Sequence, residues 1–272
     1  MARIADAFSR VKAEGRTGLV TYLTAGDPSL ARTKELLFAL ERSGADVIEL
    51  GVPFSDPLAD GPVIQRATER ALASGTTLTG VLELVRDVRA TLSTPIVLFT
   101  YANPVARLGF AAFADKAAEA GVDGVLLLDV PIEEAHDIHA LLGARGIDTI
   151  FLLSPTTTPE RIRVAHQLGR GFLYVISRLG VTGVRDTVAE GADALVARIR
   201  RETTLPIALG FGISTPAHVQ TVGQWADAAV VGSGLVRVIA EHGDDDALVP
   251  AVEDYVRWLT GQAITAPSGA RQ

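Results

Sequence analysis

The chain has 272 residues, 48% of them hydrophobic, and its 25 Lys and Arg against 32 Asp and Glu leave a net charge of −7. That length suits one barrel of about 250 residues or two small domains, and the negative charge argues against a function resting on nucleic-acid phosphates, although backbone dipoles still allow a small anionic ligand. The absence of cysteine excludes disulfides, thiolate metal sites and cysteine nucleophiles, and fits a reducing compartment.

The N-terminus has apolar residues at helical spacing through Ile4, Ala7 and Phe8 and carries Asp6 and Glu14, which reads as a packed helix and not as a signal or transit peptide. Short runs rich in Val, Ile and Leu then alternate with stretches of helical periodicity. The runs predict strands at 18–24, 47–50, 96–101, 124–129, 149–153, 172–177, 207–210 and 228–231. Helical spacing follows at 29–43, 78–92, 110–120, 132–144 and 159–168. Stops such as Ser43-Gly44-Ala45-Asp46 and Ala120-Gly121-Val122-Asp123 place Gly where a helix ends in the left-handed conformation. Eight repeats predict a single (β/α)8 TIM barrel over residues 1–262 with an extra N-terminal helix, and 263–272 reads as a disordered tail. The most apolar stretch, 121–132, is too short to span a bilayer and is broken by Asp123 and Asp129, so a cytoplasmic protein is expected. An open doubly wound sheet is the competing topology, but it would place a phosphate loop after the first strand, and here the glycines cluster after the last ones.

A barrel carries its active site on the loops beyond the strands' C-terminal ends. Glu49 closes the second predicted strand, where alternation pairs it with Val47 and opposes it to Ile48 and Leu50; if the latter pair packs on helices, Glu49 points into the barrel mouth. Burial there raises a carboxyl pKa and suits it to general acid work, the alternative being a Glu paired with Lys or Arg. The long loop 51–65 holds stiffening prolines and exposed apolar residues, which points to closure over a ligand or to a partner. Asp60, at its end, is either a second active carboxylate or a cap for the helix starting near Pro62.

Gly210-Phe211-Gly212-Ile213-Ser214 and Gly232-Ser233-Gly234 follow the seventh and eighth strands, the positions where barrels bind phosphate through backbone N–H groups and a helix dipole. The stretch 177–185 reads as a lid or a plain surface loop. Tyr101 and Tyr174 stand near strand ends, fit to line an aromatic pocket or simply to pack. His136 and His139 lack a third convergent ligand, so no metal site is expected, and 244–246 reads as a helix-capping acidic turn.

The segments 47–57, 60–65, 100–104, 129–131, 177–183, 210–214 and 232–233, opened by Thr24-Ala25-Gly26-Asp27-Pro28, resemble the tryptophan synthase alpha subunit family over nearly the whole chain. The resemblance implies a retro-aldol cleavage of indole-3-glycerol phosphate to indole and glyceraldehyde 3-phosphate, a step of tryptophan biosynthesis. Glu49 would be the acid/base at the reacting carbons, and Asp60 would accept from the indole N–H. Tyr22, Phe99, Tyr101 and Tyr174 would line the indole pocket, and Thr182 would meet Asp60 on closure. Gly183, Phe211, Gly212, Gly232 and Ser233 would hold the phosphate. The resemblance also implies a beta subunit in an alpha2-beta2 complex, carrying the pyridoxal phosphate that this chain itself does not need. That partner would dock on Pro53, Asp56, Pro57 and Asn103. The sequence departs from the family pattern at Gly234, where Ala is usual, at Leu179 and at Tyr22. A sugar-phosphate isomerase or epimerase, using Glu49 with Asp129, and a non-catalytic activator of a beta partner are the rival functions.

Overall fold

Each apolar run forms a strand: β1 (Gly18–Thr24), β2 (Val47–Gly51), β3 (Ile96–Thr100), β4 (Gly124–Leu127), β5 (Asp148–Leu153), β6 (Leu173–Ile176), β7 (Ile207–Gly210) and β8 (Ala228–Val231). In the computed structural model, which describes residues 2–177, 191–210 and 212–263, these strands pair in parallel in chain order. The sheet closes where Leu19 lies opposite Ala229 and Val20 opposite Val230. Around it run α1 (Arg3–Ala13), α2 (Leu30–Arg42), α3 (Pro62–Ala73), α4 (Leu78–Val88), α5 (Ala102–Leu108), α6 (Phe110–Ala120), α7 (His136–Gly143), α8 (Pro159–Leu168), α9 (Ala192–Arg200), α10 (Pro216–Val222), α11 (Ser233–His242) and α12 (Leu248–Leu259).

Strand alternation sorts the side chains into two cores. Leu19, Leu23, Ile48, Leu50 and Leu98 face outward beneath the helices. Val20, Val47, Val97, Leu126 and Ile150 fill the barrel interior, each stabilising it by about 1.5–3 kcal/mol. At helical spacing, Ile4 and Phe8 plug the barrel's N-terminal end, with the Phe8 ring tilted against Phe172 at 5.5 Å.

Aspartates just before strands tie this lower rim together. Asp46 accepts from Leu19 N at 2.9 Å, Asp123 from Ile96 N at 2.8 Å and Asp227 from Ile207 N at 2.7 Å, so each satisfies an N–H at the start of the strand beside its own. Arg16 clamps Asp46 through two bonds of 2.7 Å, and Asp123 meets Arg3 at 2.8 Å and Arg89 at 3.6 Å.

Four local expectations are corrected. The third strand stops at Thr100 because Tyr101 is the extended N-cap of α5, a helix the Asn103-Pro104 pair disguises; Pro104 sits in its first turn, where a missing N–H is harmless. The fourth strand ends at Leu127, and Asp129 turns away to accept from Ala102 N at 2.7 Å. The stretch 132–144 is a 3₁₀ turn, Ile132–Glu134, followed by α7. Asp245 accepts from Ala247 N at 2.9 Å, a turn that precedes α12, whose own N-cap makes no side-chain bond. Among the described residues no helix is long and apolar enough to cross a membrane. The tail at 264–272 lies outside the described residues.

Candidate active site

Alternation along β2 puts Glu49 on the interior face with Val47, and Ile48 and Leu50 beneath the helices. Glu49 is 0% exposed, flanked in register by Tyr22 of β1 and Val97 of β3. Neither carboxyl oxygen has a hydrogen-bond partner among the described residues, and no Lys or Arg there pairs with it, so the ion-pair reading of this residue falls. Burial alone pushes its pKa up to about 8, so near neutral pH the buried group holds its proton.

The aromatics expected around it come together. Tyr22 meets Phe99 edge-on at 5.2 Å, and Phe99 lies 6.3 Å from Tyr174. Two strand-end glycines make room for the phenols: a Cβ on Gly51 would fall 2.3 Å from Tyr22 Oη, and one on Gly210 2.7 Å from Tyr174 Oη. Burial first, then the nearby carboxyls, hold both phenols well above their usual pKa, so they stay neutral donors.

Asp60 ends the loop after β2 and is 6% exposed. The N-cap of α3 is Gly61, and the Asp60 carboxylate instead accepts from Tyr101 Oη at 3.0 Å. Burial raises the Asp60 pKa to about 6, against the lowering effect of that bond. Tyr101 Oη also accepts from Ala59 N at 3.1 Å, and Gln65 Nε2 donates to Asp60 O at 2.8 Å, so the loop end is held from both sides. Burial and then Asp60 raise the Tyr101 phenol, which keeps it the donor.

One brace escaped the sequence reading. Arg70 of α3 grips Asp27 through bonds of 2.7 and 2.8 Å, and Ser74 donates to Gly26 O at 3.1 Å. The brace ties α3, and with it Asp60, to the turn after β1. Asp27 stood in the recognised 24–28 segment, but nothing in the pattern marked its partner 43 residues away.

Gly212 takes a φ of 86°, which a Cβ would strain, and Gly232 is the N-cap of α11, whose first residue is Ser233. That N-cap, a glycine, has no side chain to cap the helix. The two loops touch, since a Cβ on Gly234 would lie 3.5 Å from Ser214 Cβ. Phe211, Thr182, Gly183, Leu179 and the stretch 178–190 lie outside the described residues.

On the rim, Pro53 is buried, Pro57 half-buried and Asp56 exposed with Ser55 Oγ at 2.6 Å. Phe54 packs 5.4 Å from the Tyr101 ring, while Leu58 stands 88% exposed and Asn103 lies exposed on α5. Leu58 is one of the apolar residues of the loop 51–65, and its isolation in solvent is visible only in three dimensions. Asp129 is exposed and committed to α5, so it gives Glu49 no facing acid/base partner. His139 Nδ1 lies 3.4 Å from Thr149 Oγ1, and among the described residues no group of three or more His, Asp and Glu could hold a metal.

Comparison with known proteins bears on this geometry. The profile of the family described as tryptophan synthase alpha chain matches residues 8–257. The tryptophan synthase alpha chain of Solibacter usitatus is 49% identical over 259 residues, covering 95% of this chain and 97% of that one. Among solved structures, tryptophan synthase subunit alpha from Legionella pneumophila superposes with a TM-score of 0.86 at 38% identity, covering 96% of this chain and 98% of its own. A chain of the tryptophan synthase α2β2 complex of Pyrococcus furiosus does so with a TM-score of 0.83 at 38% identity, covering 90% and 98%.

Proposed function

The chain belongs to the tryptophan synthase alpha chain family, which cleaves indole-3-glycerol phosphate to indole and glyceraldehyde 3-phosphate, and from that premise we propose that Glu49 and Asp60 carry the cleavage. The observation that carries the proposal is the contrast between the two carboxyls: one buried without a partner among the described residues and protonated up to about pH 8, the other ionised above about pH 6 beside a phenol donor.

The bond between indole C3 and the hydroxyl-bearing carbon breaks when C3 gains a proton and the hydroxyl loses one. Glu49 in its acid form donates to C3, which leaves positive charge on the ring. Asp60 faces the indole N–H and stabilises that charge. The Glu49 carboxylate then takes the hydroxyl proton as the C–C bond opens, giving the aldehyde and restoring the acid. One proton moves from oxygen to carbon overall, so no outside reagent is needed. Two carboxyls held in unlike environments suit these two duties. Tyr22, Phe99 and Tyr174 offer the ring an aromatic wall. Gly212, Gly232 and Ser233 offer the phosphate backbone donors at a helix N-terminus, and Thr182, Gly183 and Phe211 keep in this reading the roles that the resemblance implies.

The rim of Phe54, Asp56, Pro57 and Leu58, with Asn103, is the surface we assign to a beta partner. Pyridoxal phosphate is assigned to that partner, and the steps above use only this chain's own side chains. The test is indole release from indole-3-glycerol phosphate by the chain alone and with a beta subunit. Release that the partner accelerates and that Glu49→Gln and Asp60→Asn each suppress supports the reading; release undiminished in both variants overturns the residue roles.

A further inference from the structure

The surroundings of Gly234 leave no room for a side chain. A Cβ there would lie 2.2 Å from Tyr255 Oη, a separation that atoms do not tolerate. Tyr255 belongs to α12, is 1% exposed, and sends its hydroxyl across Gly234 to donate to Ser214 O at 3.1 Å. Ser214 N in turn donates to the buried His218 Nδ1 at 3.3 Å. Both polar backbone atoms of Ser214 are thus held by side chains from α12 and α10, two residues after Gly212. The hydroxyl passes between the glycine-rich turn that opens α11 and the loop that follows β7.

We propose that Tyr255 is a positioning residue for the substrate's phosphate, its hydroxyl fixing the loop from Gly212 to Ser214 against the start of α11, with Gly234 as its matched partner. The proposal rests on the phosphate-site reading above and extends it to a residue on the outer helical layer. A hydroxyl that served only to satisfy a buried carbonyl would affect folding stability and leave ligand binding alone. A hydroxyl that sets the distance between two phosphate loops acts on binding of the phosphate-bearing substrate more than on turnover, because the reacting carbons lie at Glu49.

The experiment measures kcat and KM for indole-3-glycerol phosphate, and competitive inhibition by glycerol 3-phosphate, in the full chain with its beta partner. The variants are Tyr255→Phe, Gly234→Ala, both together, and Ser233→Asp. Tyr255→Phe is expected to raise KM and the inhibition constant about 5-fold with kcat within about 2-fold, the loss of one hydrogen bond. Gly234→Ala displaces both the hydroxyl and Ser214 and is expected to raise both constants about 20-fold. Adding Tyr255→Phe to Gly234→Ala removes the obstructing oxygen and returns both to about the Tyr255→Phe level. Unchanged constants in the Tyr255 and Gly234 variants alongside a lower Tm, or a double variant no better than Gly234→Ala, would overturn the proposal. Ser233→Asp separates the two levels of inference, because it places a carboxylate at the first residue of α11. If it leaves inhibition by glycerol 3-phosphate unchanged, the phosphate reading itself falls; if it weakens inhibition while the Tyr255 and Gly234 variants do not, only the role of Tyr255 falls.

Discussion

Glu49 and Asp60 at the barrel mouth and the aspartates of its lower rim are buried by opposite rules. At the lower rim Asp46 and Asp123 are 4% and 6% exposed, and each is saturated by a neighbouring strand's N–H and by arginine. At the mouth Glu49 is 0% exposed and has no partner among the described residues, and Asp60 is held by a neutral phenol. A buried carboxylate with a guanidinium and an amide donor is a structural cross-link, whereas an unpaired one keeps its proton and can deliver it. The fold thus pairs its buried carboxyls with arginine where they brace the barrel, at the lower rim and also at Asp27 beside the mouth, and withholds arginine from Glu49 and Asp60.

The largest expected effect crosses the two ends. Glu49→Gln replaces a proton-bearing carboxyl with a neutral amide of the same shape, so kcat is expected to fall about 10³-fold with stability near neutral pH unchanged or raised. Asp123→Asn removes the charge that Arg89 and Arg3 face, and is expected to cost about 3 kcal/mol of stability while the folded fraction turns over within about 2-fold of the parent. Indole release and urea unfolding on both variants decide it. A Glu49→Gln chain as destabilised as Asp123→Asn, or an Asp123→Asn chain as inactive as Glu49→Gln, would break the division.

The next effect is in pH. Catalysis needs Asp60 ionised and Glu49 protonated, so kcat/KM is expected to rise through about pH 6 and fall through about pH 8. Asp60→Asn should remove the rising limb together with most of the activity. Stability carries the same signature. The native Glu49 pKa of about 8 lies above the ordinary 4.5, so the unfolded chain releases this proton first. The stabilising contribution is complete below about pH 4.5 and is lost as pH climbs toward 8. Thermal melts should therefore show Glu49→Gln gaining on the parent steadily from about pH 5 to 8, and parallel curves would mean that Glu49 is not held protonated.

Much of this division was legible in the chain because it follows from periodicity. Alternation over residues 47–50 was enough to aim Glu49 inward, since the outward pair Ile48 and Leu50 had to meet helices. The glycines before Asp46 and Asp123 marked helix ends, and Gly44 and Gly121 do take φ of 97° and 83°. What stayed hidden has one of two causes. Helices α5 and α12 carry Pro104 and Pro250 in their first turns, where proline is harmless but reads as a breaker. The Asp27–Arg70 brace and the Tyr255–Gly234 contact join segments whose meeting depends on how helices lie against the barrel, which no local pattern encodes. The same holds for choosing between Asp60 as cap and Asp60 as acid, which turned on the position of Tyr101 Oη.

The smallest effect sharpens the comparison at Asp60, which has a partner where Glu49 has none among the described residues. Tyr101 Oη donates to Asp60 and so favours its ionised form, against the burial that raises its pKa. Tyr101→Phe removes that donor and leaves burial unopposed, so the Asp60 pKa should rise and the rising limb of kcat/KM should move to higher pH. Activity at pH 7 is expected to drop about 5-fold, and the falling limb, set by Glu49, should stay in place. A rising limb that does not move would mean that another group produces it. If it moves while the falling limb holds, the two carboxyls titrate as separate devices, one tuned by a phenol and the other by burial alone.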